Sequence, residues 1–469
     1  MSRKPFVHPY IPNSVPEVKE RMLREVGARD AEELYAQMIP DRLRLKRPME
    51  LPKPLTAELD LRRHVEELLS KDSDCVEYLS FLGAGCWRHY VPSVCDAIAS
   101  RSEFLTAYAG GAYSDLGRFQ AVFEFQSLIG ELLEMEVSGI PTYDWGAAAG
   151  NAVRMAARMT GRREVLVPRS MSPARLSIVR NFCDSANREG RIGIDLVDYD
   201  SETGMLDLDD LGEKVSSETA CVYFENPSYL GVIEARGREA SAIAHDNGAE
   251  VVVGVDPISL GVLAPPAEYG ADIVCGEAQP LGIHIIAGGG SCGFIASRDE
   301  ERYVSEYPLR LVSVTETEVE GELGFGQCRY ERTSYIGREN AKDYVGTTVG
   351  LWAIVSAVYM SLMGPRGMKE LGEHIIRKAH YAAKRLGEIE GIDISFPTFF
   401  KEFVVDLGDN GKTVEEVNRA LLSKRIFGGK DLSNEFAEFG QSALYCVTET
   451  HSLADIERLA ASLGEVLVR

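Results

Sequence analysis

From residue 163 the chain alternates short β-branched runs with helical or loop segments, and this alternation restricts its fold more than any other feature. The runs are REVLVP, GIDLVDYD, TACVYFEN, EVVVGVD, DIVCGE and CGFIASR. Segments such as SPARLSIVRNFC and GREASAIAHDNG lie between them. Continuous apolar strands separated by helices predict an α/β fold with a mainly parallel sheet covered on both faces. In such a sheet the site lies at the carboxyl ends of the strands.

The flanking regions read differently. Residues 1–80 are charged and punctuated by proline, with helices in VPEVKERMLREVG, ARDAEELYAQM and TAELDLRRHVEELLSK. Asp30 and Thr56 are the expected caps of the second and third. Such an arm suits a segment that wraps a neighbour. FQAVFEFQSLIGELL carries apolar residues at helical spacing, so its aromatics read as core. From about 345 a long apolar helix leads into helix, strand, helix, strand and helix, a smaller α+β unit. The expected division is an N-terminal helical arm over 1–95, a large α/β domain over 96–340 and a small C-terminal α+β domain over 341–469.

With 50 basic against 72 acidic side chains the net charge is −22, which argues against nucleic acid or an anionic membrane as the main partner. Nine cysteines without a CxxC pair read as reduced thiols of a cytoplasmic protein. The start has no apolar secretory segment, and the longest apolar run, GLWAIVSAVYMSLMG, is too short to span a membrane. The eight histidines show no metal spacing. Triad, P-loop and dinucleotide motifs are absent as well.

Chemistry points to residues 249–296, which read as strand, Asp-Pro turn, short helix, strand and glycine-rich return. This looks like the frame that holds pyridoxal phosphate in large α/β enzymes. There an Asp at one strand end pairs with the pyridine nitrogen, and a Lys at the next strand end forms the Schiff base. Asp256 stands in the first place and Gln279 in the second. Between Lys71 and Lys342 the only lysine is Lys214, in the polar segment DLGEKVSSETA. A frame of this kind without its lysine is half of an enzyme.

Each further candidate has a structural reading beside the functional one. Gly146 and Ala147 open a helix in TYDWGAAAG, where helix N–H groups hold a phosphate or small residues allow close packing. Asp256 holds a pyridinium proton or caps a turn. Asn226, in the pair Asn226-Pro227, touches the cofactor's phenolic oxygen or makes a turn. His284 is a site residue or a core histidine.

Taken together the strings resemble one family, subunit 1 of glycine dehydrogenase (decarboxylating), the N-terminal half of the glycine cleavage system P protein. They include MIPDRLRLKRPMELPKPLTAEL, FLGAGCWRHYVPSVCDAIASRSEFLTAY, FQAVFEFQSLIGELLEMEV, NPSYLGVIE, VDPISLGVLAPPAEYGADIVCGEAQPLG and AVYMSLMGPRGMKELG. The resemblance implies a fold-type-I pyridoxal-phosphate architecture. It also implies an α2β2 assembly with a lysine-bearing subunit 2 that binds the cofactor, so that this chain alone is inactive. Glycine would be decarboxylated and the aminomethyl group passed to a lipoyl carrier protein. The sequence departs from the family pattern at AGGAYSDLGRFQ (109–120), YDWGAAAG (143–150), NPSYLG, His284 and GRENAKDY (337–344). These departures leave open a paralogous subunit acting on another amino acid or an N-substituted glycine. A non-catalytic scaffold or regulatory subunit is the third reading.

Overall fold

A computed structural model describes residues 7–47, 49–105, 118–184, 190–286, 290–328, 341–343, 349–408 and 410–467. Most of the divergent loop 109–120 and of 337–344, including Arg338 and Glu339, lies outside the described residues.

The chain divides into two compact units, Met1–Ser73 and Asp74–Arg469. The first contains helices Pro16–Glu25, Ala31–Met38 and Glu58–Leu69. Asp30 caps the second helix, its side chain accepting from Glu33 N at 2.9 Å. Thr56 does not cap the third, which starts after Ala57 without a side-chain cap. Among the described residues of this unit only Ala28 is buried.

The second unit is built on a seven-stranded sheet. The described residues form fifteen strands: β1 (Leu79–Ser80), β2 (Val137–Ser138), β3 (Glu164–Pro168), β4 (Gly193–Val197), β5 (Thr219–Glu225), β6 (Glu250–Val255), β7 (Ile273–Glu277), β8 (Gly293–Ser297), β9 (Leu311–Glu316), β10 (Leu323–Cys328), β11 (Asp393–Ile394), β12 (Glu402–Asp406), β13 (Ile426–Phe427), β14 (Lys430–Asp431) and β15 (Ser442–Cys446). The large sheet runs β2-β8-β7-β6-β5-β3-β4. Strands β7, β6, β5, β3 and β4 are mutually parallel, whereas β8 is antiparallel to both its neighbours.

All six strands expected from 163 onward are present, and β5 to β8 are buried along their whole length. Burial on both faces explains why they read as continuous rather than alternating apolar runs. The alternation persists in the packing. Val251, Val253, Val255 and Val274 join a core with Phe125, Ile129 and Leu133 of the Phe119–Leu133 helix. Val252, Ile273 and Cys275 join the opposite core with Ala148, Ala149, Ala152 and Val153 of the Trp145–Thr160 helix. Period-two side-chain direction thus assigns each face its own helices.

The C-terminal part forms an antiparallel sheet in the order β11-β12-β15-β14. Its core includes Phe403, Val405, Ala443 and Tyr445 under the helices Val414–Ser423 and Leu453–Leu467. The long helix Gly350–Gly387 joins the two sheets and breaks at Gly364, whose φ of 58° is followed by Pro365. A left-handed glycine and a residue without a backbone N–H end the first half. Strands β9 and β10 pair as a hairpin, and β1 pairs with β13 in parallel; neither pairing was apparent in the sequence.

Candidate active site

The carboxyl ends of β5, β6 and β7 deliver Glu225, Asp256 and Glu277 to one place. The Trp145–Thr160 helix starts beside them, Arg175 comes from the helix Pro173–Cys183, and Lys401 and Glu402 come from the entry into β12. Gly85 and Trp87 close the wall. This is where an open parallel sheet places its ligand.

Both cations of the place are paired with carboxylates of the chain itself. Lys401 Nζ lies 2.7 Å from Asp256 Oδ2, with both side chains almost wholly buried. The same ammonium sits 3.6 Å from the centre of the Trp87 ring and 3.1 Å from His89 Nε2. His89 Nδ1 is 2.8 Å from Glu449 Oε2. If Nε2 accepts from Lys401, the tautomer follows, and Nδ1 donates to Glu449. Arg175 pairs with Glu225, and its guanidinium lies 3.7 Å above the Trp145 ring. Tyr223 donates to the same Glu225 at 2.8 Å. These cations are held by charge and by the negative faces of the indoles.

Glu277 accepts three backbone N–H groups: Trp145 N at 3.1 Å, Gln279 N at 3.0 Å and Cys292 N at 2.5 Å. Burial pushes its carboxyl up to about 7 against the downward pull of those donors. Burial likewise pushes Glu402 up to about 7, partly offset by Ala84 N, which donates to it at 2.6 Å.

Gln279 is buried, accepting from Trp87 N at 3.1 Å and donating to the Ile283 carbonyl at 3.0 Å. It closes a loop and leaves no reactive group. Asn226 is buried and serves the turn, since its Oδ1 accepts from Glu234 N and its Nδ2 donates to Glu234 O. The bond after it, Asn226–Pro227, is cis. Ala147 N donates to Asp144 Oδ1 at 2.7 Å, so the helix start is capped by a carboxylate of its own chain. A Cβ on Gly146 would come within 2.6 Å of Ile178 Cδ1, which makes it a packing glycine. His284 is exposed and paired with Asp96 at 2.9 Å; it does not line the cavity.

The remaining space is about 20 Å³. That holds a single water, whereas ligand pockets run to about 300–1,000 Å³. The residues present therefore do not fit pyridoxal phosphate. They offer no lysine at 279, no room for the ring, and an Asp256 already paired with an ammonium. Among the described residues no cluster could hold a metal ion. Lys401, Arg175 and Glu277 escaped the sequence reading, and Trp87 was not read as a site residue. One signal for Lys401 existed: a Lys-Glu pair inside the apolar run FFKEFVV, where isolated charges are costly.

A family model described as "Glycine cleavage system P-protein" matches residues 8–463. The chain is 37% identical over 469 residues to "Probable glycine dehydrogenase (decarboxylating) subunit 1" of Staphylothermus marinus, covering 98% of each. It is 35% identical to the protein of the same name from Desulfitobacterium hafniense, covering 97% of this chain and 99% of that one. Among solved structures it is similar to "glycine decarboxylase (P-protein) of the glycine cleavage system, in inhibitor-bound form", with a TM-score of 0.84 and 33% identity. That match covers 98% of this chain and 100% of the other. A sphingosine-1-phosphate lyase of Burkholderia pseudomallei, at 15% identity and a TM-score of 0.65, shares the fold alone. The expected fold-type-I architecture is thus present, and the chain belongs to the glycine cleavage system P-protein family.

Proposed function

We propose that this chain is the lysine-lacking subunit of a pyridoxal-phosphate-dependent glycine decarboxylase and acts in the cytoplasm with a lysine-bearing subunit 2. The observation that carries the reading is the filled cavity with Gln279 where a Schiff-base lysine would stand. A chain that keeps the architecture without room for the cofactor needs a partner that binds it. Pyridoxal phosphate on that partner supplies an electron sink for loss of carbon dioxide from glycine. The aminomethyl group then passes to a lipoyl carrier protein.

This chain's own contribution is to hold a rigid wall. Gln279 fixes the 83–90 segment through Trp87 N, and Glu277 fixes the start of the Trp145–Thr160 helix. The assembly we favour is α2β2, two copies of each subunit.

Two departures from the family pattern need not report on substrate. Trp145 packs under Arg175 inside the filled cavity, and Pro227, Ser228 and Tyr229 line its wall. Explained by packing, they are no argument for a paralogue, and the family match supports the glycine reading over another amino acid, an N-substituted glycine or a scaffold or regulatory role.

The test is to purify the chain with and without its lysine-bearing partner, titrate each with pyridoxal phosphate, and follow carbon dioxide release from carboxyl-labelled glycine. Cofactor uptake and glycine turnover in the complex, with neither in the chain alone, are expected. Uptake without release from glycine, but with release from another amino acid, would replace the substrate. No uptake in the complex would leave the scaffold reading.

A further inference from the structure

The pocket is more than closed. We infer that it carries its own occupants: Lys401 stands where a pyridinium would meet Asp256, Glu277 stands where a phosphate would meet the helix start, and the Lys401–Asp256 pair locks the C-terminal sheet onto the seven-stranded sheet. This inference concerns the chain's own interior and holds whichever substrate the complex uses.

The correspondence is chemical at each point. An Asp at the end of a central strand is a partner for a ring N–H cation. Here the cation within 2.7 Å of Asp256 is the ammonium of Lys401. A helix start beside a strand end is a partner for an anion. Here the N–H of Trp145, first residue of its helix, points to the Glu277 carboxyl at 3.1 Å. Two further backbone donors, from Gln279 and Cys292, complete the ring of N–H groups around that carboxyl. Between these ends the indoles of Trp87 and Trp145, 6.3 Å apart, fill the space. Both cations lie over an indole face. A bound cofactor has thus been exchanged for tethered groups of matching charge, which lose no translational freedom on docking.

The lock follows from where the occupants come from. Asp256 follows β6, in the middle of the large sheet, whereas Lys401 precedes β12, in the middle of the small one. Their ion pair therefore crosses between the two sheets. Backbone bonds run the same way: Phe400 N donates to Gly231 O and Ile233 N to Thr398 O, each at 3.2 Å. Gly231, with φ +85°, passes so close to the Glu402 backbone that a Cβ would collide. Glu402 in turn takes Ala84 N, and Cys446 N donates to Phe81 O at 2.9 Å. Two sheets held by a desolvated ion pair and a backbone seam have one relative placement.

Three measurements on the full chain test this. Gln279→Lys alone should take up no pyridoxal phosphate, judged by visible absorption and a borohydride-fixed adduct; a stoichiometric adduct at position 279 would overturn the inference. Lys401→Met should lower the thermal midpoint by several degrees, and adding Asp256→Asn should recover most of that loss. A double variant no more stable than Lys401→Met means that the two groups are not coupled, and the lock fails. In Lys401→Met, amide exchange in Glu402–Asp406 and across the Ala84–Trp87 segment should quicken relative to the Leu453–Leu467 helix. Unchanged exchange there would also overturn the lock. The cofactor titration stands even if the buried-charge variants do not fold.

Discussion

At the scale of the residue, the buried carboxyls set how the chain responds to pH. The Glu402 carboxyl is pushed up to about 7 by burial, from an ordinary value of 4.5. Between those values the folded chain holds a proton that the unfolded chain has released. Stability therefore falls as pH rises from about 4.5 to about 7, and changes little beyond. A shift of that size corresponds to about 3 kcal/mol. Glu402→Gln removes the titration, so its unfolding midpoint should vary less between pH 5 and 7.5 than that of the parent; an equal slope would show that Glu402 does not titrate in this window. Arg175 is the second residue to test. Arg175→Ala leaves Glu225 as an unpaired buried charge and uncovers the Trp145 ring, a loss of about 3–5 kcal/mol. The alternative Glu225→Gln/Arg175→Met, which removes both charges, should unfold at a higher denaturant concentration than Arg175→Ala.

The positions of Asp256 and Gln279 were legible in the sequence because a strand end is marked by an apolar run and a turn signal. Their partners were not. Lys401 reaches Asp256 from a different sheet, and no local pattern records a contact between strands so far apart along the chain. Arg175 sits in SPARLSIVRNFC, where it reads as one more charge on an amphipathic helix until the fold turns it inward. The same blindness applied to Trp145, which stood in the divergent string YDWGAAAG and is part of the filling.

At the scale of the element, the Trp145–Thr160 helix shows how small residues at a helix start divide between binding and packing. Gly150 faces Phe182 of the Pro173–Cys183 helix, and a Cβ there would come within 2.6 Å of the ring carbon Cγ. Gly150→Val overpacks that seam and should cost about 1–3 kcal/mol. Gly212 offers the contrast. It lies in the exposed part of the Leu208–Lys214 helix with nothing within 4 Å of an added Cβ. Gly212→Ala should stabilise by about 0.5–1 kcal/mol, since alanine loses less freedom in a helix. Thermal unfolding of the two variants decides the matter. Equal and small effects would mean that the two helices are not in close contact. The strands and helices of the central sheet were readable because burial on both faces makes the strand interiors mostly apolar, with the buried carboxylates at their ends. Two-residue strands such as β1, β13 and β14 were not, since their existence depends on the neighbour that pairs with them.

At the scale of the whole molecule, the N-terminal unit is built differently from the rest. Residues 1–73 hold 14 basic and 13 acidic side chains, against 36 and 59 in the remainder. Within it Leu43, Leu45, Leu51 and Met38 are each more than 60% exposed. A segment with one buried residue among those described and so much exposed apolar surface does not stabilise itself by burial. Its basic run is partly satisfied within the unit, Arg44 by Glu32 and Lys46 by Asp41, while Arg42 and Arg47 sit beside those leucines, so its preferred cover is apolar with an acidic share. The second unit has its own cores and does not need the arm to bury them. A chain beginning at Asp74 should therefore still unfold cooperatively, yet associate with the lysine-bearing partner at least tenfold more weakly in sedimentation. Because screening acts on the charged share of that contact, the affinity of the full chain should fall as salt rises from about 0.05 to 0.5 M, and that of the shortened chain should fall less. Equal affinities for both chains at low salt would mean that the arm takes no part in the assembly.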